Sequence, residues 1–144
     1  MPSSELRIAR DCAAKRITPI VQLAASDFRV NGDKRRLKRI FVRLFRNAAQ
    51  VTPAEGDIEI TTRNVGDHIE VAVGDSGAPL DEESSRKMFL PFEEGRRIGP
   101  FGLGGIGASR YVARALIEAH GGDITAEPRY SHGAILTVRL KLAS

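Results

Sequence analysis

DIEITTRNVGDHIEVAVG, residues 57–74, sets an apolar or β-branched side chain at every second position: Ile58, Ile60 and Thr62, then Ile69, Val71 and Val73. Glu59, Thr61, Arg63, His68 and Glu70 fall between them, so the two-residue period predicts two strands with one face buried and the other in water. AILTVRLKL, residues 134–142, repeats the pattern, with Ala134, Leu136, Val138, Leu140 and Leu142 inward and Thr137, Arg139 and Lys141 outward. Glu59, Glu70, Arg139 and Lys141 are placed to form cross-strand charge pairs. One-faced alternation suits a largely antiparallel sheet covered by helices on one side, not a parallel sheet covered on both. The fold class expected is a two-layer α/β (α+β) sandwich.

Upstream of these strands, Leu37, Ile40, Phe41, Leu44, Phe45 and Ala48 recur at three- and four-residue spacing after the turn signal Asn31-Gly32-Asp33, which predicts an amphipathic helix. Pro53 and Gly56 end it, because proline drives its predecessor out of helical geometry. SELRIARDCAAK, residues 4–15, predicts a first helix capped by Ser3 or Ser4, followed by an apolar segment from Ile20 to Ala25. Downstream, Ser109 to Ala119 predicts a last helix with Val112, Leu116 and Ile117 inward and a stop at His120-Gly121-Gly122. No repeat or linker divides the chain, so residues 1–144 form one expected domain.

Composition narrows the function. The chain has 144 residues, 22 Lys plus Arg and 18 Asp plus Glu, a net charge of +4. That excess is too small, and its two tyrosines too far apart, to favour nucleic acid as a partner. The single cysteine, Cys12, excludes an internal disulfide and fits a reducing compartment. No apolar run approaches the roughly 18 residues of a membrane span, so direct membrane insertion is not expected; the location expected is cytoplasmic, alone or as the cytoplasmic part of a membrane-bound protein.

Three features carry chemistry. Gly99, Gly102, Gly104, Gly105 and Gly107 precede the last helix. Glycines let main-chain amides turn toward an anion, and the helix start adds its positive dipole end, so a phosphate cradle is favoured over a plain surface loop. No Gly-Lys-Ser or Gly-Lys-Thr follows, which excludes a Walker loop. Residues 102–107 also match GxGxxG, with Glu127 about 20 residues on as in a dinucleotide fingerprint. The charged, broken segment 93–100 before it and the 17 residues after Glu127 count against that alternative.

The second feature is Asn47, which shares a helix flank with Arg36, Arg43 and Gln50. Its carboxamide oxygen suits a hard cation such as magnesium, or else it is a polar boundary residue. Arg35, Arg36, Lys38, Arg39, Arg43 and Arg46 read as a solvated face that would also attract polyphosphate. The third is Asp75-Ser76-Gly77 at a strand end, where Asp75 can accept from a ligand amino group or cap a turn.

Taken in order, these segments resemble the ATP-binding domain of histidine kinases in the GHKL superfamily. Asn47-Ala-Ala-Gln-Val-Thr52 resembles the N box, Asp75-Ser-Gly77 the first glycine motif and Phe89-Leu-Pro-Phe92 the F box. Gly104-Gly-Ile-Gly107 with Glu118-Ala-His-Gly-Gly122 resembles the second glycine motif. Gly32-Asp33 with Arg36-Leu37, and Gly133, also match, so the resemblance covers nearly the whole chain. It implies a Bergerat fold, with a mixed sheet backed by helices and ATP held between the N-box helix and a lid. Asn47 would ligate Mg2+ and serve as the catalytic residue, Asp75 would accept from the adenine amino group, and Gly77 would admit the base. Gly102, Gly104, Gly105 and Gly107 would wrap the triphosphate, with Glu93 to Leu103 as lid, Phe89 and Phe92 as anchors and Arg96 and Arg97 toward phosphate. Gln50, Ser109 and Thr137 complete the implied nucleotide-binding set.

Departures from the pattern are Arg43 in place of an asparagine or a catalytic glutamate, Gln50 for lysine, Pro79 for the second glycine, and Ser109-Arg110 for Gly-Leu. Arg43 and Arg110 would restore positive charge lost at Gln50, and Ser109 can still donate to phosphate. The glutamate missing at Arg43 counts against a gyrase-like ATPase and an anti-sigma serine kinase. His68, His120 and His132 do not resemble the family's phosphate acceptor. The implied partners are therefore ATP, a histidine-bearing dimerisation domain of a larger sensor kinase, and a response regulator. The alternative is a degenerate domain of the same fold acting as a nucleotide-sensing or interaction module.

Overall fold

In the computed structural model, which describes residues 10, 12–78, 81–83, 106–129 and 133–143, the alternating segments pair as strands. They are β1 (Thr18–Leu23), β2 (Asp57–Val65), β3 (His68–Gly74), β4 (Asp123–Pro128) and β5 (Ala134–Lys141), in sheet order β1-β2-β3-β5-β4. β2 and β3 form a hairpin whose register sets Ile60 against Val73 and Thr62 against Val71, with Gly66 at φ +59° in the connection. β3 pairs antiparallel with β5, and β5 with β4.

The apolar segment 20–25 contributes to β1, an edge strand parallel to β2. A parallel pair needs a long crossover, and the helix α1 (Lys34–Val51) supplies it. One parallel edge on an otherwise antiparallel sheet makes the sandwich mixed. Val21 and Leu23 on that edge are 53% and 63% exposed.

Asp33 caps α1, its carboxylate accepting from the Arg36 amide at 3.1 Å. The expected apolar stripe is the buried one, through Leu37, Ile40 and Ala48, with Phe41, Leu44 and Phe45 packed alongside. Helix α2 (Ile106–Ala119) begins three residues before the expected Ser109, because Ile106 and Gly107 join the helix despite glycine's poor propensity. Its end is as expected: the Gly122 amide donates to Ile117 O and the Gly121 amide to Glu118 O, with Gly121 at φ +78°. Ile117 is buried and Leu116 half-buried; Val112 lies outside the residues whose side chains are described. Residues 12–15 are helical, while Ser3 and Ser4 lie outside the described residues.

Two apolar clusters fill the space between sheet and helices. Ile69, Ile124, Leu136, Val138 and Leu140 meet Leu37, Ile40 and Ile117 in the larger. Ile17, Ala48, Ala49, Ile58 and Val73 form the smaller, under the C-terminal end of α1.

On the other face one expectation is corrected. Glu70 is buried rather than wet, because Arg63 and Arg139 close over it at 2.5 and 2.6 Å. Its partner across β2 is Arg63, and Lys141 stands opposite His68 instead of a glutamate.

Candidate functional site

β3 runs out at Gly74, and the next residue, Asp75, is fully buried. A buried carboxylate needs donors, and the Gly77 amide at 2.8 Å and the Ala134 amide at 3.3 Å both reach its Oδ1. Gly133 makes the second approach possible. It sits at φ +83°, and a Cβ there would lie 2.0 Å from the Asp75 carbonyl oxygen.

Ser76 ties this turn to its neighbours. Its hydroxyl donates to Asp57 O at 2.7 Å and accepts from the Asp57 amide at 3.1 Å, while its own amide donates to Thr52 Oγ1 at 3.1 Å. Thr52 is the C-cap of α1 and fully buried, so the end of the Asn47 helix is fastened to the Asp75 turn. Ala48 and Ala49 pack on Val73 from the same helix end. Lys15 secures that end from outside, donating to the carbonyls of Ala49, Gln50 and Thr52 at 3.1, 3.0 and 3.2 Å.

Asn47 and Gln50 are half-buried on the last turns of α1, beside the helix end that meets Asp75. Asn47 offers one hard oxygen, and among the described residues no group of three His, Cys, Asp or Glu side chains is placed to hold a metal. A lone carboxamide fits a magnesium ion that keeps phosphate and water ligands, not one caged by protein. Arg36 and Arg43 on the same flank are exposed. Arg46 is not: it is half-buried, and its Nε has no partner among the described residues, so the basic face is not uniformly solvated.

Gly107 and Ser109 stand in the first turn of α2, where the glycine segment meets a helix start. Phe89, Phe92, Arg96, Arg97, Gly102, Gly104 and Gly105 lie outside the described residues, as does Pro79.

Thr137 is not brought to this site. Its strand parity puts it with Arg139 on the outer sheet face, lining a trough of about 520 Å³ with Glu59, Thr61 and Ala72. The buried residues Leu136 and Val138 face the helices instead.

Sequence reasoning also missed Arg129. It is buried at the end of β4 with Nη2 2.7 Å from Asp57 Oδ1, and nothing in its local pattern marks it as interior. The dinucleotide alternative fails on topology. The strand after α2, which carries Glu127, pairs antiparallel with β5, whereas that fingerprint belongs to a parallel βαβ unit.

Similar proteins are histidine kinases. Histidine protein kinase DivJ of Caulobacter vibrioides is 29% identical over 136 residues, 94% of this chain and 22% of that protein. Sensor histidine kinase ZraS of Klebsiella oxytoca is 30% identical over 134 residues, 92% of this chain and 28% of that protein. The chain thus spans less than a third of either relative. Among solved structures, the nucleotide-free catalytic domain of histidine kinase ThkA superposes with a TM-score of 0.78 at 26% identity, covering 96% of this chain and 86% of that one. ThkA in complex with the response regulator protein TrrA gives 0.77 at 26% identity, covering 97% and 38%. Residues 32–144, which include α1, α2 and the strands β2 to β5, match the family of histidine kinase-, DNA gyrase B- and HSP90-like ATPases, and the chain belongs to that family.

Proposed function

We propose that this chain is the ATP-binding catalytic domain of a two-component sensor histidine kinase. In that role it donates the γ-phosphoryl group of ATP to a histidine on a dimerisation domain, for relay to a response regulator. The observation that carries the reading is the buried Asp75 carboxylate, oriented by the Gly77 and Ala134 amides, at the sheet end to which Thr52 fastens the Asn47 helix. Asp75 accepts from the adenine amino group, and Gly77 leaves room for the base beside it. Asn47 would hold Mg2+, whose charge would offset that of the phosphates. Gly107 and Ser109, at the start of α2, would receive the triphosphate together with Gln50, while Gly102, Gly104, Gly105, Arg96, Arg97, Phe89 and Phe92 keep the triphosphate and lid roles that the motif resemblance implies. Transfer breaks the bond from the γ-phosphorus to the oxygen of the departing ADP and forms a phosphorus–nitrogen bond to the histidine. Positioning and charge neutralisation supply most of what such a step needs.

The acceptor is not among the described histidines. His68 Nδ1 lies 2.7 Å from Asp67, and His120 is engaged by the Asp33 amide and Leu116 O. The solved complex of histidine kinase ThkA with the response regulator protein TrrA supports a response regulator as final acceptor, and the domain would act in the cytoplasm.

Calorimetric titration with a non-hydrolysable ATP analogue, with and without magnesium, tests this. Binding should require magnesium for full affinity and weaken at least about tenfold in Asp75→Asn, the loss of a buried charged acceptor. A supplied histidine hairpin should then be phosphorylated in trans. No binding at millimolar nucleotide would instead support the degenerate interaction module, to which Arg43, Gln50, Pro79 and Ser109 point.

A further inference from the structure

Arg129, directly after β4, is buried to 5% exposure, and a buried guanidinium persists only where its charge is paired. Its matches come from the ends of two other strands. Nη2 pairs with Asp57 Oδ1 at the start of β2, 2.7 Å away, and Nη1 donates to the Asp75 carbonyl at 3.0 Å and to Ser76 Oγ at 3.2 Å, just past β3. The side chain reaches them across Gly74, where a Cβ would meet Nε and Cδ at 3.0 and 3.1 Å. Arg129 is also held at its own main chain, its amide donating to Gly133 O at 3.2 Å. Gly133 and Ala134 press on Asp75 from the far side of the same loop. Both ends of the segment from 129 to 134 therefore grip one turn.

We infer that Arg129 is a positioning residue for recognition of the nucleotide base. It locks the Asp75–Gly77 turn, so that the Asp75 carboxylate is held where the 6-amino group of adenine arrives. The inference rests on the ATP-site reading given above. The planar fork is what suits arginine to the role, since it spans Asp57, Asp75 and Ser76 at once, which a lysine ammonium on a flexible stem does not reproduce. A fixed acceptor discriminates against a base lacking the donor, so Arg129 acts on base preference more than on affinity for the triphosphate.

The test titrates wild type, Arg129→Met, Arg129→Lys and Asp57→Asn with ATP and with inosine triphosphate, which has a carbonyl oxygen in place of the amino group. Hydrogen exchange of the Gly77 and Ala134 amides, the donors to Asp75 Oδ1, is followed in parallel. Arg129→Met should weaken ATP by on the order of tenfold while leaving inosine triphosphate within about twofold, and should speed exchange at both amides. Arg129→Lys should recover part of the ATP preference, and Asp57→Asn should lose part of it. Wild-type preference for ATP with variants that keep it, or that weaken both nucleotides equally, overturns the proposal alone. If Arg129→Met does not fold, unchanged preference and exchange in Asp57→Asn overturn it as well. A wild type without any ATP preference would sink the base-site reading, and the proposal with it.

Discussion

A glycine with an occupied space before it is a stronger constraint than a conserved-looking loop. Gly133 combines φ +83° with a Cβ direction that ends 2.0 Å from a carbonyl oxygen, so both conformation and sterics forbid a side chain there. Gly133→Ala is expected to cost about 2–4 kcal/mol, the sum of left-handed strain and displacement of the Asp75 turn. Urea denaturation measures this directly. Nucleotide affinity should fall by more than the loss of folded protein explains, because the displaced atom belongs to Asp75. Gly66 makes the contrast: it has φ +59° but nothing within 4 Å of its Cβ position, so only the conformational part applies.

Among the elements, α1 carries the strongest helix signal in the sequence and is held from outside at both ends. Its N-terminus is closed by Asp33, whose amide donates to His120 Nε2 at 3.0 Å, so the start of α1 is joined to the end of α2. Gly32 admits that ring, since a Cβ there would fall 2.1 Å from His120 Cδ2. At the other end, Lys15 meets three carbonyls where the helix dipole is negative. Lys15→Met should destabilise the protein by about 1–2 kcal/mol, since the apolar stem is kept and only charge-assisted hydrogen bonds are lost. Chemical denaturation gives the value, and faster amide exchange at residues 49–52 would locate it. Equal stability in the variant would show that water serves those carbonyls as well.

Across the whole molecule, Arg63, Glu70, Arg139 and Asp123 form a row of alternating charge over four adjacent strands. Burial pushes the Glu70 carboxyl up, but hydrogen bonds from Arg139 and then Arg63, with their positive charge, pull it down further, to a net position below its ordinary value. A carboxyl lowered in the folded state stabilises the fold fully above its unfolded value, about 4.3, and loses that contribution as pH falls through the folded value. The wild type should therefore lose urea resistance as pH drops below about 4.3, through this group among others. Glu70→Gln should be less stable at pH 7 and should lose less over the acid window. An acid limb of unchanged slope in the variant would remove Glu70 from the account.

The sequence by itself determined the helices α1 and α2, the strands β2, β3 and β5 and the inward face of α1 and of those strands, because period and spacing are local properties of the chain. It also carried the family, since four short motifs in order are specific where each alone is ambiguous. Tertiary structure alone decided the rest. That 18–23 is a parallel edge strand depends on the α1 crossover, and that Glu70 is buried depends on two arginines from other strands. Arg129 shows the limit most clearly. An arginine beside a proline at a strand end carries no signal of burial, and only the meeting of Asp57, Asp75 and Ser76 from distant parts of the chain makes its charge tolerable inside.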